Sequence, residues 1–374
     1  MRCSASSTAW TTSTTGISKE AGPLIETTAR RDGFLGRLSR LWGRFHPAAG
    51  ETDALEPRTA SPFWVIVQKE FGDHMRSWRF GILIGIITLA CIGSIYAAIT
   101  ALKDGVKTQD TDTSFLFLQM FTASDGTLPT FATFVSFLGP LMGIALGFDA
   151  INSERGKGTL SRLLSQPIYR DDFIRAKFTA SLLLIAVVLF ALGFLVMGLG
   201  LFTIGYPPTP EEVLRVVLFL VIGVIYVGFW LNLSMLLSIR FRQAATSALS
   251  GIALWIFFSV FYGMIMGIVD KATSPPETSA LGILLRHANM MLLLNRLSPS
   301  YLFTETTSTM LTPGIRSLGP LTTEQVVGAI ASPLPLAQSL LLCWPQLVGL
   351  LAATILCFGL SYLLFMRQEI RSRA

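Results

Sequence analysis

Six uninterrupted apolar runs dictate what this chain of 374 residues can become: residues 80–102, 130–148, 178–204, 213–239, 244–269 and 342–366. A helix rises about 1.5 Å per residue, so roughly 20 such residues cross the hydrocarbon core of a bilayer. Lipid offers no partner for a backbone N–H or C=O, so segments of this kind must close their hydrogen bonds internally, as helices. A transmembrane barrel would alternate with period two, and these runs are continuous. Only 14% of the residues are charged, against about a quarter in a soluble domain. The expected fold class is therefore an all-α integral membrane protein with six transmembrane helices.

Lys and Arg near the ends of the runs set the expected orientation. Arg155, Lys157, Arg162, Arg170, Arg175 and Lys177 lie between the second and third runs. Arg240 and Arg242 follow the fourth, Arg367, Arg371 and Arg373 follow the sixth, and Lys69, Arg76 and Arg79 precede the first. The opposite loops are poorer: Lys103 and Lys107 in one, none in 205–212, and four basic residues spread through 270–341. Both termini are expected in the cytoplasm. The net charge of +6 is this topology signal and calls for no nucleic-acid partner.

Residues 1–60 differ in kind. The start is rich in Ser and Thr and lacks the apolar core of a signal peptide, and "RRDGFLGRLSRLWGRFH" mixes Phe, Leu and Trp with Arg. We read 1–60 as a disordered basic extension, with a helix lying on an anionic membrane face as the alternative for its second half and a transit peptide as a lesser one. From residue 61 the pattern changes. Ser61-Pro62 offers an N-cap and a first-turn proline, and 63–79 reads as an amphipathic interfacial helix leading into the first span. Glu70 and His74 stand one turn apart on it and read as a solvated pair.

Candidate chemistry is thin. Cys3, Cys91, Cys343 and Cys357 form no Cys-x-x-Cys, His46, His74 and His287 are scattered, and the Met pairs at 264/266 and 290/291 suit packing. Asp149 ends the second run at the border, and Asn232, Ser234, Ser247 and Ser250 are polar without charge. Intramembrane chemistry needs ionisable groups in the spans. We read the spans as free of buried charge, which argues against a membrane enzyme and against a proton- or sodium-driven transporter. Gly156-Lys157-Gly158 invites a phosphate-loop reading, but that loop needs Gly, four residues, then Gly-Lys-Ser/Thr after a strand. Residue 151 is Ile, and an apolar run precedes it. No nucleotide or metal cofactor is expected in this chain.

Residues 150–177 read instead as a cytoplasmic elbow. Gly156 and Gly158 permit a bend, Thr159 caps a short helix whose Leu160, Leu163 and Leu164 share one face, and Pro167 ends it. A second short helix follows Arg170, with Asp171 and Asp172 favoured at its N-terminus by the helix dipole. A leucine face outside the spans needs a partner. Gly139, Gly143 and Gly147 recur at i, i+4, i+8, a face for close helix packing either in a dimer or within one chain. Thr209-Pro210-Glu211-Glu212 spells a capping box. The 270–341 loop is expected outside the cell, as a small helical cap, a contact for an extracytoplasmic accessory protein or a plain connector.

The stretch "INSERGKGTLSRLLSQPIYRDDFIRAKF" resembles the signature of ABC-2 type transporter permeases, in the NosY-like branch. Glu154, Gly158, Thr159, Leu160, Leu163, Leu164, Ser165, Pro167, Arg170 and Lys177 carry the likeness. Ser161 stands where the family usually has an acid. The layout over 61–374 is similar too: an interfacial helix, six spans and a large insertion between spans five and six. The resemblance implies the permease subunit of an exporter, multi-pass in the cell membrane (an organellar membrane being a minor alternative). It implies that ATP and Mg bind a separate ABC ATPase, which grips the elbow at Glu154–Arg170, and that a second permease copy or a similar chain completes the assembly in membrane lipid. Rival readings are a membrane scaffold or assembly factor and a secondary transporter.

Overall fold

The computed structural model describes residues 62–108, 115–158, 169–205, 207–276, 279–319 and 333–367, of which 104–108 are described in backbone alone. The 1–60 extension lies outside them, as do residues 159–168 of the elbow. Among the described residues every regular element is a helix. They are α1 (Pro62–Met75), α2 (Trp78–Thr108), α3 (Leu116–Thr122), α4 (Phe131–Gly147), α5 (Asn152–Gly156), α6 (Arg170–Ile204) and α7 (Pro210–Arg240). Next come α8 (Ala244–Ile256), a π-helical turn (Phe257–Phe261) that runs on into α9 (Tyr262–Thr273), α10 (Leu281–Asn295), α11 (Pro299–Leu311) and α12 (Leu336–Arg367).

Six segments are long and apolar enough to cross a membrane, matching the six runs: Trp78–Lys103, Phe131–Gly156, Arg170–Ile204, Pro210–Arg240, Ala244–Thr273 and Leu336–Arg367. The second helix expected in the elbow is not separate; Arg170 opens span three itself. α1 does not run straight into span one. The chain breaks at Arg76–Ser77, where the Ser77 hydroxyl accepts the Phe80 N–H at 3.3 Å and caps the new helix.

Span four, α7, is the hub, packed against α4, α6, α8, α11 and α12. Its start is the expected capping box: Thr209 Oγ1 accepts the Glu212 N–H at 3.3 Å, and Glu212 Oε2 accepts the Thr209 N–H at 2.8 Å. The approach of α4 explains its glycines. A Cβ on Gly143 would lie 2.7 Å from the Val227 carbonyl oxygen and 2.9 Å from the Leu231 nitrogen. On Gly147 it would lie 2.8 Å from the Leu231 oxygen, and on Gly139 2.8 Å from the Val227 side chain. The contacts at Gly143 and Gly147 involve the backbone of α7, which cannot swing away as a side chain would. The Gly139–Gly143–Gly147 face is thus spent on span four of the same chain, not on a partner.

The insertion between spans five and six is helical over most of its described part. α10 and α11 form a hairpin that descends beside the spans. Tyr262, which donates to the Leu294 carbonyl at the foot of α10, lies about 16 Å along span five from Thr273. Tyr226, which meets Ser300 at the start of α11 at 3.1 Å, lies about 24 Å along span four from Pro210. α11 then climbs back along α7 until the Met310 carbonyl meets Arg215. The tip of the hairpin therefore lies about halfway along spans four and five. α11 is rich in Thr, and its hydroxyls return to its own backbone: Thr306 to Leu302 at 2.7 Å, Thr307 to Phe303 and Thr309 to Glu305 at 2.8 Å each. Phe303 stacks on Tyr226 at 4.3 Å, which seats the hairpin on the hub.

Candidate functional site

The basic end of the bundle carries the elbow, and a buried charge cluster fixes its stems. Lys177, about two helical turns into α6, reaches Glu70 of α1 at 2.7 Å and Glu154 of α5 at 3.8 Å. The Lys177 and Glu70 side chains are only 6% and 9% exposed. Glu70 is also 3.3 Å from Lys69, and His74 Nε2 lies 3.3 Å from the Ser181 hydroxyl. The solvated Glu70–His74 pair expected from the sequence is thus corrected: Glu70 turns inward to a lysine 107 positions later. Apolar packing supports the same junction, with Val67 of α1 buried against Ala176 and Ala180 of α6.

The other stem is tied to span four. The Ser238 hydroxyl accepts the Ile151 and Asn152 N–H groups at 3.1 and 3.2 Å. Arg79, at the head of span one, pairs with Asp149 at 3.0 Å. Both ends of the sequence signature, Glu154 and Lys177, therefore meet in space. Glu154 is mostly enclosed, at 14% side-chain exposure, so it braces the stem more than it faces a partner. Gly158 is exposed and left-handed, with φ of 67°, a conformation for which a side chain would be strained. Arg170 is exposed. Thr159, Leu160, Leu163, Leu164, Ser165 and Pro167 lie outside the described residues.

Sequence reading missed two further charge clusters at the opposite end and tip. Arg215 is completely buried although it sits inside the fourth apolar run. Its guanidinium donates to Glu211 at 2.9 and 3.1 Å, to the Met310 and Leu334 carbonyls at 3.1 and 2.6 Å, and to the Ser339 hydroxyl at 3.3 Å. Glu212 accepts the Phe117 N–H at 3.1 Å in addition to its capping bond. At the hairpin tip Arg296 holds Glu305 through two bonds of 2.7 and 2.9 Å, and Gln346 of span six donates to Glu305 at 3.1 Å. The expectation of spans free of buried charge is thus overturned. Each buried charge, however, is paired or ringed by carbonyls, which is the arrangement of a structural tie. The clue in the sequence was an arginine five residues into a helix whose first turn holds two acids.

A bundle of six spans, elbow stems braced by buried charge and a half-length hairpin between spans five and six together define a multi-pass membrane protein. The chain belongs to the ABC-2 family of transporter proteins, whose model matches residues 64–370. It is similar to the probable ABC transporter permease protein NosY of Pseudomonas aeruginosa PAO1, at 25% identity over 209 residues, covering 54% of this chain and 68% of the relative. It is also similar to the probable ABC transporter permease protein NosY of Stutzerimonas stutzeri, at 23% over 242 residues, covering 62% and 80%. The protein is a multi-pass membrane subunit of an ABC transporter.

Proposed function

We propose that this chain is the permease of an ATP-driven exporter, with its basic end in the cytoplasm and a separate ABC ATPase seated on the elbow. ATP and Mg would bind that partner, and this chain would hydrolyse nothing itself. The observation that carries the reading is the bracing of the elbow. Lys177 on one stem pairs with Glu154 on the other and with Glu70 of α1, and Ser238 secures the Glu154 stem to span four, so a push on the elbow would be delivered to α1 and span four together. Leu160, Leu163 and Leu164 supply the apolar surface for the partner, and Arg170 a charge that tunes specificity. Burial would contribute about 1.5–3 kcal/mol per leucine. A second permease copy completes the path, and because the glycine face is used internally, the exposed outer face of α8 and α9 is the better candidate for that contact.

Replacing Leu163 and Leu164 together by Asp should leave membrane insertion intact and abolish co-purification of the ATPase, whereas Lys157→Ala should do little. An undiminished complex with normal export would refute the assignment. Orientation is checked by cysteine labelling. Arg170→Cys should react only from the cytoplasm and Lys271→Cys only from outside; the reverse pattern would invert the model. Thr307, the natural choice from sequence, is 3% exposed in α11 and would report packing in place of sidedness.

A further inference from the structure

One face of α6 changes character with depth. Asp172, Arg175, Thr179, Leu183 and Val187 recur at intervals of three or four residues and so share a stripe. It runs from charged side chains at the basic border, through a hydroxyl, to aliphatic side chains. Counting from Arg170, which opens span three, Asp172 lies about 3 Å and Thr179 about 13 Å along the axis. The charged end of the stripe borders an open-sided groove of about 370 Å3 between α1, α6 and α12. Three rings line it: Phe63 of α1, Phe178 of α6 and Phe358 of α12, the last two 5.2 Å apart. Deeper along the same flank Leu183, Val187 and, on α12, Ile355 are exposed, an apolar surface open to lipid.

Two polar groups of the groove have bonding capacity to spare. Arg175 donates through Nη2 to the Asp171 and Asp172 carboxylates and through Nε to the Asp171 carbonyl, while its Nη1 bonds nothing among the described residues. Threonines in other parts of the spans return their hydroxyls to the carbonyl one turn back; Thr203, Thr273 and Thr354 do so at 3.2, 2.7 and 2.8 Å. Thr179, in the groove wall, makes no such bond among the described residues.

The charges narrow the occupant. One guanidinium stands against two carboxylates, so a plain anion meets a surplus of negative charge, and a plain cation leaves Nη1 unanswered. A head group that carries both phosphate and ammonium answers both. The phosphate takes Arg175 Nη1, and the ammonium lies between Asp172 and the aromatic rings. Thr179, one turn deeper, stands where a glycerol ester begins, and the acyl chains follow Leu183 and Val187. The order of chemistry along α6 is the order along a phospholipid.

We propose that this groove binds one zwitterionic phospholipid from the leaflet at the basic end of the bundle. The assignment needs neither export nor an ATPase, and the face is distinct from that of α8 and α9.

The test uses the full chain in detergent micelles supplied with phosphatidylethanolamine, phosphatidylglycerol or glycerophosphoethanolamine, read by native mass spectrometry. Phosphatidylethanolamine should be retained at one per chain, about tenfold more strongly than phosphatidylglycerol. Arg175→Gln should weaken that retention by about fivefold or more. Its melting temperature should stay near that of the wild type, because half-exposed ion pairs contribute little. Asp172→Asn should shift the preference toward phosphatidylglycerol, a change that lost packing alone would not produce; should Arg175→Gln fail to fold, this shift decides alone. Equal retention of the two lipids by the wild type, an unchanged preference in Asp172→Asn, or retention unaffected by Arg175→Gln would overturn the proposal. So would a disulfide between two Arg175→Cys chains that excludes the lipid, which would give the groove to a second copy. Glycerophosphoethanolamine held as tightly as the lipid would overturn the bilayer as its source.

Discussion

Lys177→Met is expected to destabilise the protein by about 3–5 kcal/mol, because it removes the nearer cation from Glu70 at a junction where both side chains are under 10% exposed. A surface ion pair would be worth at most about 1 kcal/mol, so the size of the effect tests the burial directly. Thermal unfolding in nanodiscs measures it, and Glu70→Gln combined with Lys177→Met should recover much of the loss by removing the stranded charge. A drop below about 1 kcal/mol would mean that the junction is open to water. The pH dependence follows from the same geometry. Burial alone would push the Glu70 carboxyl up, but Lys177 and Lys69 outweigh it and hold the group below its ordinary 4.5. Its contribution is therefore complete above about pH 4.5 and lost as the pH falls through the lower folded value. His74 is depressed below 6.5 by burial and by Lys177, against the opposing pull of Glu70, Asp149 and Asp73. The unfolded chain then takes up that proton first, so stability already declines as the pH falls below about 6.5. His74→Gln should erase this upper step and leave the lower one.

Arg215→Met should be comparably severe, at about 3–5 kcal/mol, for a different reason. The guanidinium donates to both the Met310 and Leu334 carbonyls, at the end of α11 and just before span six. Removing it leaves both carbonyls and the Ser339 hydroxyl without that donor and frees Glu211 from its i+4 partner. Arg215→Lys should rescue only part, because one ammonium cannot reproduce a planar fork that reaches four groups. Faster proteolysis between residues 311 and 336 should accompany the loss of melting temperature. Wild-type protease resistance in Arg215→Met would show that the hairpin is held without this tie.

The six spans were legible because lipid leaves a chain of this composition no alternative to long apolar helices. The α7 capping box was legible because its bonds close within four residues. The Glu154 and Lys177 signature could be read as a motif, but its partner Glu70 could not, since only the packing of α1 against α6 brings residue 70 to residue 177. Arg215 was hidden for a related reason: near the end of an apolar run an arginine ordinarily snorkels to water, and the end of α11 together with the start of span six encloses it here. α10 and α11, of 15 and 13 residues, are too short to register as spans. The Thr-rich surface of α11 reads as a turn until its hydroxyls are seen to bond its own backbone.

The half-length hairpin also orders the birth of the molecule. Six spans can leave the translocation machinery on their own hydrophobicity, but α11 carries Glu305 and a polar face that lipid would not accept unaided. Gln346, which bonds Glu305, belongs to span six, which is synthesised after the hairpin. The hairpin can therefore settle to its full depth only after the ribosome has finished span six, so an element made earlier in the chain is seated by one made later.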